Sequence, residues 1–155
     1  MTKTTRWLSE DEQKAWRAYL RGSARLSALI NHDLYQTHGI TLNKYEVLVR
    51  LSETEGRAMR MSDLADNLVH SRSRLTRTVA SLEKEGLVSR ESCAADGRGR
   101  LCRLTDAGYA YLEKIAPDHV ESVQERVLAK IGTDNLLELG RILSLLADDD
   151  ADIQL

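Results

Sequence analysis

Two short helical patterns meet between Ser62 and Gly86 across a break at Val69-His70 that leaves room for only a tight turn. No other stretch narrows the choice of folds as much. In the second pattern Leu75, Val79 and Leu82 recur at i, i+4 and i+7, which makes one apolar stripe of a helix that Ser71 can cap. The opposite face carries Arg72, Ser73, Arg74, Thr76 and Arg77, all of them hydrogen-bond donors or hydroxyls. In the first pattern Leu64, Ala65 and Leu68 form the apolar face, and Ser62 is expected to cap it. A helix, a turn and a helix with an arginine-rich outer face is an arrangement suited to a DNA groove.

The chain has 155 residues, enough for one domain with a real core. Phe is absent and Pro occurs once, so that core must be built from Leu, Val, Ile and Ala. A net charge of −2 argues against a DNA binder until it is resolved by segment. Residues 1–56 carry a net +1, residues 57–103 a net +4, and residues 104–155 a net −7. The basic charge thus sits on the helix-turn-helix lobe, and the acidic charge on the tail. No apolar run reaches the ~18 residues of a membrane span, and the opening residues lack the apolar centre of a signal peptide. A cytoplasmic protein with no membrane contact is expected.

Ser9-Glu10-Asp11-Glu12 is a capping box that opens a long amphipathic helix, expected to run about 25 residues to near Gln36, before Gly39. At roughly 37 Å such a helix is longer than the chain needs for its own core, which points to a partner subunit. Thr41 begins a second helix with Tyr45, Leu48, Val49 and Leu51 inside, which Glu55-Gly56 is expected to stop. Arg57 to Met61 reads as a short extended piece able to pair with a later hairpin. That hairpin is expected from strands at Val88 to Cys93 and Arg100 to Leu104, joined by a loop with Gly97 and Gly99. A hairpin after a helix-turn-helix is a wing. Arg98 at its tip suits a narrow minor groove, and Asp96 can brace the guanidinium.

The sequence Ser71-x-Ser73-x-x-Thr76-Arg77, then Leu82-Glu83-x-x-Gly86-Leu87-Val88, Asp96-x-Arg98-Gly99 and Leu104-Thr105-x-x-Gly108 resembles the winged helix-turn-helix regulators of the multiple antibiotic resistance regulator (MarR) family. The likeness runs over nearly the whole chain; Gly97 departs from it, since many members carry a basic residue there. The resemblance implies a mainly α fold with a small β-wing (α+β), in which a winged helix-turn-helix is flanked by long N- and C-terminal dimerisation helices. Within a single domain over 1–155, the DNA-binding lobe spans 41–104, and the dimerisation helices span 9–36 and 105–147. It places Ser71, Arg72, Ser73, Arg74 and Arg77 on the recognition helix, and Asp96 and Arg98 on the wing. The expected function is sequence-specific binding of double-stranded DNA at a pseudo-palindromic operator by a homodimer, as a repressor released by a small effector.

Thr105 caps the next long pattern, which Pro117 is expected to kink and in which His119 reads as a hydrogen-bonded buried histidine. Thr133 is expected to cap a last helix with a seam of Leu136, Leu139, Leu143 and Leu146, ended by the acidic tail at Asp148. The effector expected is small and aromatic or phenolic, with Trp16, Tyr19, His38 and Tyr45 as pocket candidates. The alternatives are a redox signal through Cys93 and Cys102, opposed in a hairpin symmetric about Gly97 and Arg98, and a winged helix that only binds protein. The four histidines lack zinc-ligand spacing, and neither a phosphate loop nor a nucleophile with a base is evident, so no metal, cofactor or enzymatic activity is expected.

Overall fold

The computed structural model describes residues 5–68, 71–92 and 100–147. Among the described residues six α-helices and three strands follow in the order α1 (Glu10–His38), α2 (Leu42–Ser52), β1 (Ala58–Arg60), α3 (Met61–Leu68), α4 (Arg72–Lys84), β2 (Val88–Ser92), β3 (Arg100–Leu104), α5 (Asp106–Val123) and α6 (Ala129–Ala147). The strands form one antiparallel sheet in the order β1-β3-β2, so the extended piece before α3 does join the hairpin. No helix of the described residues is long and apolar enough to cross a membrane.

Local chemistry explains most of the boundaries. The Ser9 hydroxyl accepts from the Glu12 amide while the Glu12 carboxylate accepts from the Ser9 amide, a closed capping box that starts α1. α1 then runs to His38, slightly past the end expected near Gln36, and stops where Gly39 adopts a left-handed turn and donates to the Tyr35 carbonyl. Thr41 and Thr105 cap α2 and α5 through their hydroxyls. α2 ends at Ser52, earlier than the Glu55-Gly56 stop expected from the sequence, since a 3-10 turn at Glu55–Arg57 separates it from β1. Ser62 does not cap α3: β1 feeds straight into the helix at Met61, and the Ser62 hydroxyl donates to Asp63.

One core joins the layers. Leu64 of α3 and Leu75, Val79 and Leu82 of α4 are buried together with Val47, Leu48 and Leu51 of α2, Cys102 and Leu104 of β3, and Ile115 of α5. Each fully buried aliphatic side chain of this kind stabilises the fold by about 1.5–3 kcal/mol. Since α2 sits at the centre, both the helix-turn-helix and the long helices depend on it.

The distal helices differ from expectation. α5 continues unbroken through Pro117. Pro117 is exposed, so the Glu113 carbonyl that it leaves without an intrahelical donor lies on the solvent side. The regular ladder instead breaks at a π-turn, Gln124–Leu128, and again at Gly132, whose φ of 74° and ψ of 169° divide α6 just before Thr133. At the π-turn Arg126 donates twice to the Asp33 carboxylate, at 2.5 and 2.6 Å, and the Ser122 hydroxyl donates to the same group. The Arg126 guanidinium, with the Ser122 hydroxyl, holds Asp33 down to about 2. This cluster ties α1 to the end of α5 and the π-turn beyond it.

The wing lobe is fastened to α5 at one close junction. Gly86, at φ 74°, turns the chain out of α4, and its carbonyl accepts from the Thr105 hydroxyl at 2.7 Å. The Thr105 amide donates to the Leu87 carbonyl, and a Cβ on Gly108 would lie 2.0 Å from that same oxygen. Backbone cannot yield as a flexible side chain does, so Gly108→Ala must push α5 off the sheet. Overpacking of this kind costs about 1–3 kcal/mol. Urea unfolding of Gly108→Ala should show an unfolding free energy lower by that amount, through a lower midpoint at unchanged slope; an unchanged midpoint would contradict the close junction.

Candidate nucleic-acid interface

Burial of one face of α4 determines what the other face offers. Leu75, Val79 and Leu82 are at most 1% exposed, held against α2, α3 and β2. On a 3.6-residue helix this forces Arg72, Ser73, Arg74, Thr76 and Arg77 into solvent, and all five are exposed. Ser71 caps the helix by accepting from the Arg74 amide at 3.4 Å, and its hydroxyl also meets that of Ser73 at 3.4 Å. The Thr76 hydroxyl donates to the Arg72 carbonyl, which leaves its oxygen as an acceptor. Among the described residues, Arg72, Arg74 and Arg77 have no acidic partner. Three uncompensated guanidiniums at the start of one helix form a forked donor set that matches phosphates and the guanine edge alike.

The lobe's other arginines behave differently, which net charge alone does not reveal. Arg57 stacks on the Tyr109 ring, 3.6 Å from its centroid. Arg103 donates to the Gly56 carbonyl and to Glu91. Arg90 donates to Glu83 at 3.0 and 2.6 Å while its amide donates to the other oxygen of that carboxylate, so α4 and β2 are joined by three bonds. The Arg90 guanidinium holds Glu83 below the usual carboxylate range. α4 and β2 are thereby held together as one body. Glu83 was legible only as part of a family motif; its partner lies across the helix-strand turn, where no periodicity points.

Asp96 and Arg98 lie outside the described residues. Their hairpin is described at its base, where Val88 pairs with Leu104, Arg90 with Cys102 and Ser92 with Arg100. This register differs by three residues from the one expected, and it places Arg90, not Cys93, opposite Cys102. Cys93 itself falls outside the described residues. Cys102 is fully buried, and that burial pushes its thiol up to about 12, so it stays protonated and unreactive. The redox alternative thereby loses the pairing it was built on.

The four pocket candidates do not come together. Trp16 and Tyr19 stack on each other at 5.6 Å on the exposed side of α1. His38 lies 22 residues further along the same helix, about 33 Å away at 1.5 Å per residue. There its Nε2 meets Asp118 at 2.7 Å, while its carbonyl accepts from the Tyr111 hydroxyl. Tyr45 is buried beside the ring of His119, 4.4 Å between centroids. His119 is not the hydrogen-bonded residue expected: its buried Nδ1 has no partner among the described residues, and burial lowers its pKa. A helical face with aromatic residues signalled Trp16 and Tyr19, but nothing in the sequence signalled the Tyr45–His119 contact.

Both ends of the chain leave apolar surface uncovered. Trp16, Tyr19 and Leu20 on α1, Val120 on α5, and Leu139, Ile142 and Leu146 on α6 are all more than 40% exposed. Of the expected seam, Leu136 and Leu143 are half-buried while Leu139 and Leu146 face solvent.

Comparison with known proteins agrees with this architecture. A sequence model of the MarR family matches residues 38–99. AbsC, a MarR family transcriptional regulator from Streptomyces coelicolor, is 42% identical with a TM-score of 0.85, over 94% of this chain and 97% of that one. Sco3205, a MarR family transcriptional regulator from the same organism whose structure was solved in complex with DNA, is 36% identical with a TM-score of 0.91, over 99% and 98% of the two chains. MarR from E. coli, at 22% identity and a TM-score of 0.67 over 92% and 98%, shares the fold. By identity at this level over almost its full length, the chain belongs to the MarR family of transcriptional regulators.

Proposed function

We propose that the protein is a sequence-specific regulator acting in the cytoplasm, a homodimer that lays α4 of each subunit in successive major grooves of a pseudo-palindromic operator. The observation that carries this reading is the outer face of α4, where Arg72, Ser73, Arg74 and Arg77 are exposed on a helix whose inner face is fully buried. The DNA complex of Sco3205 supports it at 36% identity. Residues 41–104 act as the reading lobe, with Asp96 and Arg98 as its minor-groove contact. The terminal helices, 9–36 and 105–147, make the dimer: their uncovered apolar side chains form a surface larger than a soluble monomer tolerates. Two recognition helices about 34 Å apart then meet one face of the duplex. Bound across a promoter, such a dimer represses by occlusion.

Release by a small aromatic or phenolic effector is the second part of the proposal. What favours it is the His119 Nδ1, without a partner among the described residues, beside the Tyr45 ring where α2 of the reading lobe meets α5. A phenolic hydroxyl or carboxylate bonded there stacks on Tyr45 and bears on the angle between lobe and dimer helices.

Two measurements test the DNA reading, each on a duplex recovered by the wild-type protein from a random pool. Arg74→Ala and Arg77→Ala should leave the fold intact. Each should weaken binding by about 1–3 kcal/mol if it removes a base contact, relaxing preference at one position. Unchanged affinity in both would remove α4 from the groove. Glu83→Gln should loosen the wing and lower affinity about 2- to 30-fold on a duplex that includes the flanking minor groove. On a duplex trimmed to the major-groove site it should match wild type; equal losses on both lengths would mean that Glu83 positions α4 and not the wing.

A further inference from the structure

The N-terminal half of α1 carries a basic stripe that the DNA reading leaves unused. Lys14, Arg17, Arg21 and Arg25 follow at i, i+3, i+7 and i+11. At about 100° per residue they lie within roughly 80° around the helix axis and span about 16 Å along it. All are exposed, and no Asp or Glu occurs from Gln13 to His32. Lys14 meets Asp11 at 3.5 Å, a pair almost wholly in solvent, and Arg17 donates to the neutral amide of Gln13. Arg21 and Arg25 have no acidic partner among the described residues. Trp16, Tyr19 and Leu20 occupy the opposite face of the helix, so a subunit packed on them leaves the stripe in solvent.

The chain holds a segment of matching charge. Residues 148–155, outside the described residues, contain Asp148, Asp149, Asp150 and Asp152 and no Lys or Arg. α6, which leads into them, packs mainly against the π-turn and leaves Trp16, Tyr19 and Leu20 of its own chain uncovered. In a homodimer that buries the apolar sides of these terminal helices together, the end of α6 meets α1 of the partner subunit. Around a helix about 10–12 Å across, the path from the apolar side to the stripe is about 16–19 Å. Five extended residues, 148–152, reach about 17 Å, and arginine side chains close the remainder.

We propose that the acidic segment at 148–152 of each subunit docks on the basic stripe of α1 of the partner subunit. The docking rests on the dimer proposed above. It adds to an apolar interface a tie that salt loosens, since exposed ion pairs are weak singly and screened together.

The test is disulfide trapping in the full-length protein carrying Cys93→Ser; Cys102 is fully buried. Two differently tagged subunits are co-expressed, one with Ala18→Cys within the stripe and one with Ala151→Cys within the acidic segment, so that no charge is altered. Mild oxidation with diamide should link the two tags, at a rate that falls about tenfold from low to high salt. Asp148→Asn, Asp149→Asn, Asp150→Asn and Asp152→Asn together should slow the link by a similar factor. Arg21→Glu with Arg25→Glu should do the same, and Asp149→Lys with Asp150→Lys on the other subunit should restore the rate. Sedimentation establishes the dimer separately. A dimer that yields no link between the tags overturns the docking and leaves the dimer standing. A link whose rate ignores salt and charge also overturns it, as proximity alone. So does a link that closes within one subunit carrying both cysteines. Absence of a link together with tighter operator binding by the asparagine variant overturns it too, and places the segment on α4. A protein that is a monomer at every concentration overturns both dimer and docking.

Discussion

Everything this protein presents to a duplex depends on the burial of one helical stripe. Leu75, Val79 and Leu82 are packed against α2 and α3 with essentially no exposure, and a helix held so firmly by one face cannot rotate. Its arginines are consequently aimed by the core and not by each other. Because Leu48 and Leu51 of α2 sit in the same cluster as Ile115 of α5, the packing that orients the recognition helix also ties it to the long helices. Any change in the angle between α2 and α5 is therefore felt at α4, and His119, whose Nδ1 has no partner among the described residues, lies at that contact.

Around this core, polar joints turn the lobe into one rigid body. Glu83 grips Arg90 across the helix-strand turn, and the Gly86 and Leu87 carbonyls accept from Thr105. Asp33 holds Ser122 and Arg126 at the π-turn further away. These joints use up several of the lobe's charges. Arg57, Arg90 and Arg103 are structural, whereas Arg72, Arg74 and Arg77 face outward. A modest net charge thus suffices for a polyanion partner, since it is concentrated on one side.

Much of this was legible in the residues. Ser9, Thr41 and Thr105 announced their helices because a cap is a local contact, and the i, i+4, i+7 spacing of Leu75, Val79 and Leu82 identified the inner face of α4 without a structure. What was hidden depends on contacts distant in sequence or on loop geometry. The hairpin register slipped by three residues because glycines around its tip permit several turns, so the opposition of Cys93 and Cys102 was misplaced. Pro117 was expected to bend its helix without ending it, and α5 does run on through it; the π-turn beyond, where the Asp33 link acts, had no signal in the sequence. Trp16 and Tyr19 looked like neighbours of His38 only by residue type; the length of α1 keeps them apart.

The most direct test of the central claim, that α4 occupies the major groove, is methylation interference at guanine N7 on the selected duplex. N7 lies in the major groove only. Two clusters of interfering guanines are expected, centred about 10 base pairs, one helical turn, apart. One position in each cluster should stop interfering when Arg77→Ala replaces the wild type. Tight binding with no interference at any guanine N7, in a site that contains guanines under both halves of the footprint, would contradict it.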